Sequence, residues 1–176
     1  MAQLTIRYAT TADAAALADF AATAFWDTYL AIDDPEDLAN YIAEHFRPEA
    51  MAEAIADPSA TTLLAEAGDE LAGYAVLKRA ATPPCVQAPA PIELARLYLG
   101  KAHIGQGHGA HLMRAVHAEA RRQAARTLWL GVYDRNLRAV RFYERFGFVK
   151  VGGKEFVFGG KIYIDPIYAA PVRRGA

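Results

Sequence analysis

Gly105-Gln106-Gly107-His108-Gly109 sets three glycines at alternating positions ahead of an amphipathic stretch. Its apolar residues Leu112, Met113, Val116 and Ala120 fall at helical spacing. Glycine lets a backbone approach a ligand closely and adopt positive φ. Ahead of a helix, unpaired N–H groups and the helix dipole make such a turn an anion site. A plain turn needs one glycine, so three point to a bound phosphate. Downstream, Asn136 and Tyr143 stand seven residues apart in a segment that opens on a capping asparagine and closes on Gly147. They lie on nearly one helix face, about 10 Å apart along the axis, where both can contact one long ligand. Periodicity alone favours a simpler arrangement, with Asn136 only capping and Tyr143 packing against Phe142 and Phe146.

The phosphate ligand can be narrowed. No G-x-x-x-x-G-K-S/T occurs, which excludes a P-loop. Gly105, Gly107 and Ala110 nearly match the dinucleotide fingerprint in its G-x-G-x-x-A form. Yet five residues separate Leu99 from Gly105, and Asp134 comes 29 residues after Gly105, too far for the acid that should end the next strand. Only 66 residues remain after Ala110, too few for the rest of such a sheet. A dinucleotide-binding oxidoreductase is therefore disfavoured.

The elements that must position these groups read as follows. Leu4–Tyr8 is a strand, and Thr10-Thr11-Ala12-Asp13 is a capping box ahead of a helix running to about Phe25. Asp34-Pro35 starts a second helix with Leu38, Tyr41, Ile42 and Phe46 as its apolar positions. A short helix follows from Pro48 to about Ala56, with Met51 and Ile55 inward. Thr61–Ala67 and Leu71–Arg79 form a hairpin about Gly68-Asp69. Ile92–Leu99 is a further strand, Gly107 to about Ala124 a helix, Thr127–Tyr133 a strand and Asn136–Phe146 a helix. Two strands, Phe148–Gly152 and Phe156–Tyr168, end the chain. The order predicts an α/β (α+β) fold in one domain over 1–176. It has a mixed central sheet of about six to seven strands flanked by helices on both faces.

With 176 residues, 53% of them hydrophobic and 22% charged, the composition is globular. No apolar run approaches the ~20 residues of a membrane span, and no signal region opens the chain, so a cytoplasmic protein is expected. The single cysteine, Cys85, agrees. It sits in a proline-rich loop and reads as structural. From Trp26 to Asp57 nine acids face one base, Arg47, whereas from Arg96 to Lys161 thirteen Lys or Arg face four acids. Two halves of opposite charge suit two ligands of opposite charge. A pI near 6.5, with bases alternating with core residues, argues against nucleic acid. His103, His108, His111 and His117 lack supporting cysteines or carboxylates. No metal is expected, and these side chains should face solvent beside Arg114 and Arg121.

Leu97-Tyr98-Leu99, the G-x-G-x-G turn and Asn136-x-x-Ala139-x-x-Phe142-Tyr143-x-x-x-Gly147-Phe148 together resemble the core motifs of the GCN5-related N-acetyltransferases (GNAT family). The resemblance extends over nearly the whole chain. It implies acetyl-CoA as co-substrate. The strand Leu97, Tyr98, Leu99 would pair through its backbone with the pantetheine arm, and the turn Gly105, Gln106, Gly107, His108, Gly109, Ala110 would hold the pyrophosphate. Asn136 would contact the coenzyme, and Tyr143 would be the general acid for the leaving thiolate. Ile104 departs from the pattern, since the family turn commonly begins with Gln or Arg there. His103 and Lys101 are the residues placed to compensate.

The first half further resembles the bacterial PaiA-like branch, associated with polyamine acetylation. The resemblance rests on Phe25-Trp26-Asp27-Thr28-Tyr29, Asp34-Pro35-Glu36-Asp37-Leu38 with Tyr41, Glu93-Leu94-Ala95-Arg96-Leu97-Tyr98, and Glu155-Phe156-Val157-Phe158-Gly159 with Asp165. It places the acceptor beside the first two helices, where Trp26, Asp27 and Tyr29 are candidate substrate contacts. The acidic half suits a small cationic amine, which attacks the thioester directly in a ternary complex with Glu93, at the start of the central strand, as base. A protein N-terminus or lysine, and a non-catalytic acetyl-CoA-binding regulator, are the alternatives. Edge strands near the C-terminus leave room for a homodimer.

Overall fold

A computed structural model describes residues 4–173. Its strands are β1 (Leu4–Tyr8), β2 (Ala60–Ala67), β3 (Glu70–Lys78), β4 (Pro91–Leu99), β5 (Thr127–Gly131), β6 (Val149–Phe158) and β7 (Lys161–Pro171). Its α-helices are α1 (Ala14–Tyr29), α2 (Pro35–His45), α3 (Pro48–Ala56), α4 (His108–Arg122) and α5 (Leu137–Arg145). The seven strands lie in the order β1-β2-β3-β4-β5-β7-β6. β4 and β5 run parallel, while β1–β2, β5–β7 and β6–β7 are antiparallel, so the sheet is mixed as the element order predicts. No helix among the described residues is long and apolar enough to cross a membrane.

The chain forms two compact units: residues 1–77 with 96–116, and residues 78–95 with 117–176. In the first, Leu17, Ala18 and Ala21 of α1 and Met51 of α3 pack with Leu64 and Tyr74 on one face of β2 and β3. Neighbouring strand residues point to opposite faces, so Gly73 faces away from this cluster. A Cβ on Gly73 would meet Leu99 Cδ2 at 2.6 Å, the Tyr98 carbonyl oxygen at 2.8 Å and Leu112 of α4 at 3.6 Å. Helices thus cover both faces of this unit. The 3₁₀ turn Thr11–Asp13 precedes α1, and the Thr10 amide donates to Asp13 Oδ2 at 2.7 Å. Arg7 also donates to Asp13, at 2.8 and 2.9 Å, and holds its carboxyl well below the usual range. In the second unit, Trp129, Ile167 and Ala169 pack with Val86.

Several boundaries differ from the sequence reading by one or more residues, and three of the differences have a clear local cause. α1 runs to Tyr29, not Phe25. No glycine or proline stops it before Pro35, and the Leu30 amide still donates to the Trp26 carbonyl at 2.9 Å. β5 ends at Gly131, not Tyr133, because the Asn136 amide closes a turn onto the Tyr133 carbonyl at 2.9 Å. The last hairpin turns at Gly159-Gly160 (φ +56 and +70) rather than at residues 153–155. Gly152 and Gly153 stay inside β6, where a register shift falls between Lys150 and Gly152. A Cβ on Gly152 would meet Cys85 Cβ at 2.5 Å, which gives Cys85 a packing role.

Candidate active site

The glycine-rich turn lies immediately before α4 in the first unit. Gly105 and Gly107 have φ of +84 and +82, and nothing lies within 4 Å of a Cβ at either. Backbone conformation on open surface, not crowding, therefore demands glycine. The first helical hydrogen bond runs from the His111 amide to the Gly107 carbonyl at 3.1 Å. The amides of His108, Gly109 and Ala110 precede it and have no acceptor one turn back. These amides and the positive end of the helix dipole form an anion site. Gln106 is exposed, and its Nε2 donates to the Ala102 carbonyl at 2.6 Å. The His103 ring lies 5.6 Å from that of His108, and its Nε2, 3.5 Å from Glu70 Oε1, makes no hydrogen bond among the described residues. Lys101 is exposed beside the turn, and Ile104 is half-buried.

On β4, Gly73 lets β3 approach Leu99 and the Tyr98 carbonyl closely. Leu97 and Leu99 are half-buried, and Ala95 is exposed although β4 is the middle strand of the seven. The side chain of Tyr98 enters an aromatic cluster. It stacks on Tyr74 with centroids 5.9 Å apart, and its hydroxyl lies 3.4 Å from that of Tyr29. Phe25 joins at 4.7 Å from Tyr29 and 4.8 Å from Tyr41, and Phe46 at 5.4 Å from Phe25. Burial pushes the Tyr74 phenol up to about 12 and the Tyr98 phenol higher than its ordinary value. Tyr29 and Tyr98, drawn from separate motifs, are thus brought together. Trp26 is half-buried on the same helix, and Asp27 is exposed with no hydrogen bond among the described residues.

In the second unit, Asn136 caps α5: its Oδ1 accepts from the Ala139 amide at 3.2 Å. Tyr143 is 8% exposed, with its ring 5.4 Å from Phe142 and 5.6 Å from Phe148. Glu93 is half-buried and pairs across the parallel ladder with Trp129. Burial raises its carboxyl pKa against the opposing pull of Lys154 and Lys78. Asp165, the ladder partner of Lys154, is raised by burial and by Asp134.

One expectation fails here. His117 does not face solvent; it is 2% exposed, four residues after the buried Met113 and so on the inward face of α4. Its Nδ1 accepts from the Arg173 amide at 3.2 Å, and burial lowers its pKa to about 4. Among the described residues no His, Cys, Asp and Glu cluster has metal-ligating placement. Sequence reasoning gave Arg96 no site role of its own and passed over Tyr74. The alternation Arg96-x-Tyr98 puts both on one strand face, but only folding adds Tyr74 of β3 and Phe46 beyond α2.

Comparison with known proteins shows the family. Residues 19–148 match the model of the acetyltransferase (GNAT) family. An uncharacterized N-acetyltransferase of Mycobacterium tuberculosis is 34% identical over 125 residues, 71% of this chain and 76% of its own length. Among solved structures, PaiA N-acetyltransferase from Thermoplasma acidophilum in complex with coenzyme A superposes with a TM-score of 0.79 at 22% identity. That match covers 96% of this chain and 99% of PaiA. YncA from Salmonella typhimurium, solved with acetyl-CoA, gives 0.68 at 23% identity, covering 99% and 96%. The fold, the glycine turn and the family match converge: the chain belongs to the GNAT family of acetyltransferases.

Proposed function

We propose that this chain transfers an acetyl group from acetyl-CoA to the primary amine of a small molecule by direct attack, both units serving one catalytic domain. The observation that carries the proposal is the pair of positive-φ glycines, Gly105 and Gly107, beside the open N-terminus of α4. Coenzyme A carries a pyrophosphate for such a site, and two of the solved relatives are named with coenzyme A or acetyl-CoA. The backbone of Leu97 and Leu99 pairs with the pantetheine arm, and Asn136 contacts the coenzyme. Lys101, exposed beside the turn, supplies the positive charge that Ile104 lacks.

Acetyl-CoA supplies the acyl group as an activated thioester. Glu93, directly or through a water, takes the proton that the amine loses as its nitrogen bonds to the acetyl carbon. Tyr143 gives its phenolic proton to the sulfur as the C–S bond breaks. A phenol near pKa 10 can protonate a thiolate whose own acid is near 8.5 when held in reach. The raised pKa of Glu93 makes it a stronger base than a free glutamate.

The charge distribution supports a small cationic amine as acceptor, a property that polyamines and diamino acids share. Asp34 and Asp57 serve as local caps, accepting from the Glu36 and Ser59 amides at 2.8 Å. Asp27, Glu36, Glu44, Glu49 and Glu53 remain exposed on α1–α3, where an amine is attracted rather than an acid. The test is thiol release from acetyl-CoA across a panel of polyamines, amino acids, aminoglycosides and peptides. Turnover with small amines is expected. Acetyl-CoA binding without thiol release on any amine would overturn the proposal in favour of a regulatory binder.

A further inference from the structure

The aromatic cluster of the first unit holds a cation without a counter-ion. Arg96 is half-buried, with its guanidinium 4.8 Å from the centroid of Phe46. Among the described residues no carboxylate pairs with it. Tyr74, whose phenol is influenced by the Arg96 guanidinium, is 0% exposed, and among the described residues its hydroxyl proton has no acceptor. Burying a charge or a hydroxyl is costly unless it is paired. The ring of Phe46 offsets part of the cost for Arg96 but offers nothing to the Tyr74 hydroxyl. A guanidinium without a carboxylate partner and a hydroxyl proton without an acceptor, in one apolar cluster beside the paired hydroxyls of Tyr29 and Tyr98, have the chemistry that suits an anion.

We infer that Arg96 and Tyr74 bind a carboxylate on the acceptor, so that the substrate is an amine that also carries an acid, of the diamino acid type. A guanidinium fork matches a carboxylate bidentately. One cation in apolar surroundings balances one negative charge, whereas a phosphate dianion would leave one unmatched. The exposed acids of α1–α3 suit the amino groups of the same molecule, and the rings of Phe25, Tyr41 and Phe46 suit its methylenes. A resident Arg96 disfavours a bare polyamine in this cluster, because like charges repel there with little screening.

The inference rests on amine acetylation, and its test is independent of turnover. Ornithine and putrescine differ by one carboxylate, as do lysine and cadaverine. Calorimetric titration of each into the protein should show ornithine and lysine binding at least 10-fold more tightly than their decarboxylated partners. Arg96→Gln should erase that preference, and Arg96→Lys should restore part of it. Tyr74→Phe should weaken ornithine severalfold while leaving the melting temperature unchanged or higher, since it removes an unmet buried hydroxyl. Equal or tighter binding of putrescine, or equal weakening of both ligands in Arg96→Gln and Tyr74→Phe, would overturn the inference. Carboxylate-dependent binding without thiol release would uphold it while sinking the proposed acetyl transfer.

Discussion

Asn136 binds the backbone of its own helix: its side-chain oxygen accepts the Ala139 amide at 3.2 Å and closes the first turn of α5. Replacing a cap by alanine costs about 1 kcal/mol. Asn136→Ala should therefore lower stability by that amount and raise the KM for acetyl-CoA. Asn136→Ser keeps a capping oxygen but loses the amide. If Asn136 also contacts the coenzyme, serine restores the melting temperature and not the KM. Full recovery of both would reduce Asn136 to a cap.

Tyr143 is packed between Phe142 and Phe148 at 8% exposure, so Tyr143→Phe keeps the shape of the site. Loss of a proton donor costs roughly 10²-fold or more in rate. The expected result is a fall in kcat of that order with KM for acetyl-CoA little changed. An unchanged rate at every pH would remove Tyr143 from the chemistry.

Gly107 and Gly160 have φ of +82 and +70, and a Cβ meets nothing within 4 Å at either. Alanine at either should cost about 1–2 kcal/mol of backbone strain. Only Gly107→Ala should also raise the KM for acetyl-CoA, because it disturbs the amides ahead of α4. Equal kinetics in the two variants would dissociate the turn from the coenzyme.

His117 is neutral in the folded chain, its pKa lowered from 6.5 to about 4 by burial, with Arg173 and Arg121 adding to the shift. The unfolded chain takes up the proton first as pH falls. Its stabilising contribution is therefore complete above pH 6.5 and is lost progressively down to about pH 4. The full effect is on the order of 3 kcal/mol. Denaturant melts at pH 7 and 4.5 should show His117→Gln losing less stability than the parent across that interval. Parallel losses would mean that His117 is not the titrating group.

Much of the arrangement was legible before folding because its signals are local. Asp34-Pro35 caps and opens α2, with the cap accepting from the Glu36 amide at 2.8 Å. Leu112, Met113, Val116 and Ala120 are each 0% exposed on α4, as their spacing predicts. Errors arose where a local signal had two meanings. Glycine pairs mark turns, yet Gly152-Gly153 lies within β6, close against Cys85 and Ile164. Histidine reads as polar, yet His117 falls on the inward face of α4.

By itself, the sequence determined the order of elements, the mixed α/β class and the glycine turn ahead of α4, because caps, periodicity and positive-φ glycines act within a few residues of chain. Tertiary structure decided which distant side chains share an environment. Phe25 and Tyr29 of α1, Tyr41 of α2, Phe46, Tyr74 of β3, and Arg96 and Tyr98 of β4 form one cluster, in which Arg96 has no carboxylate partner among the described residues. Burial and the lack of a counter-ion depend on what packs from elsewhere in the chain, and no spacing along one strand encodes them.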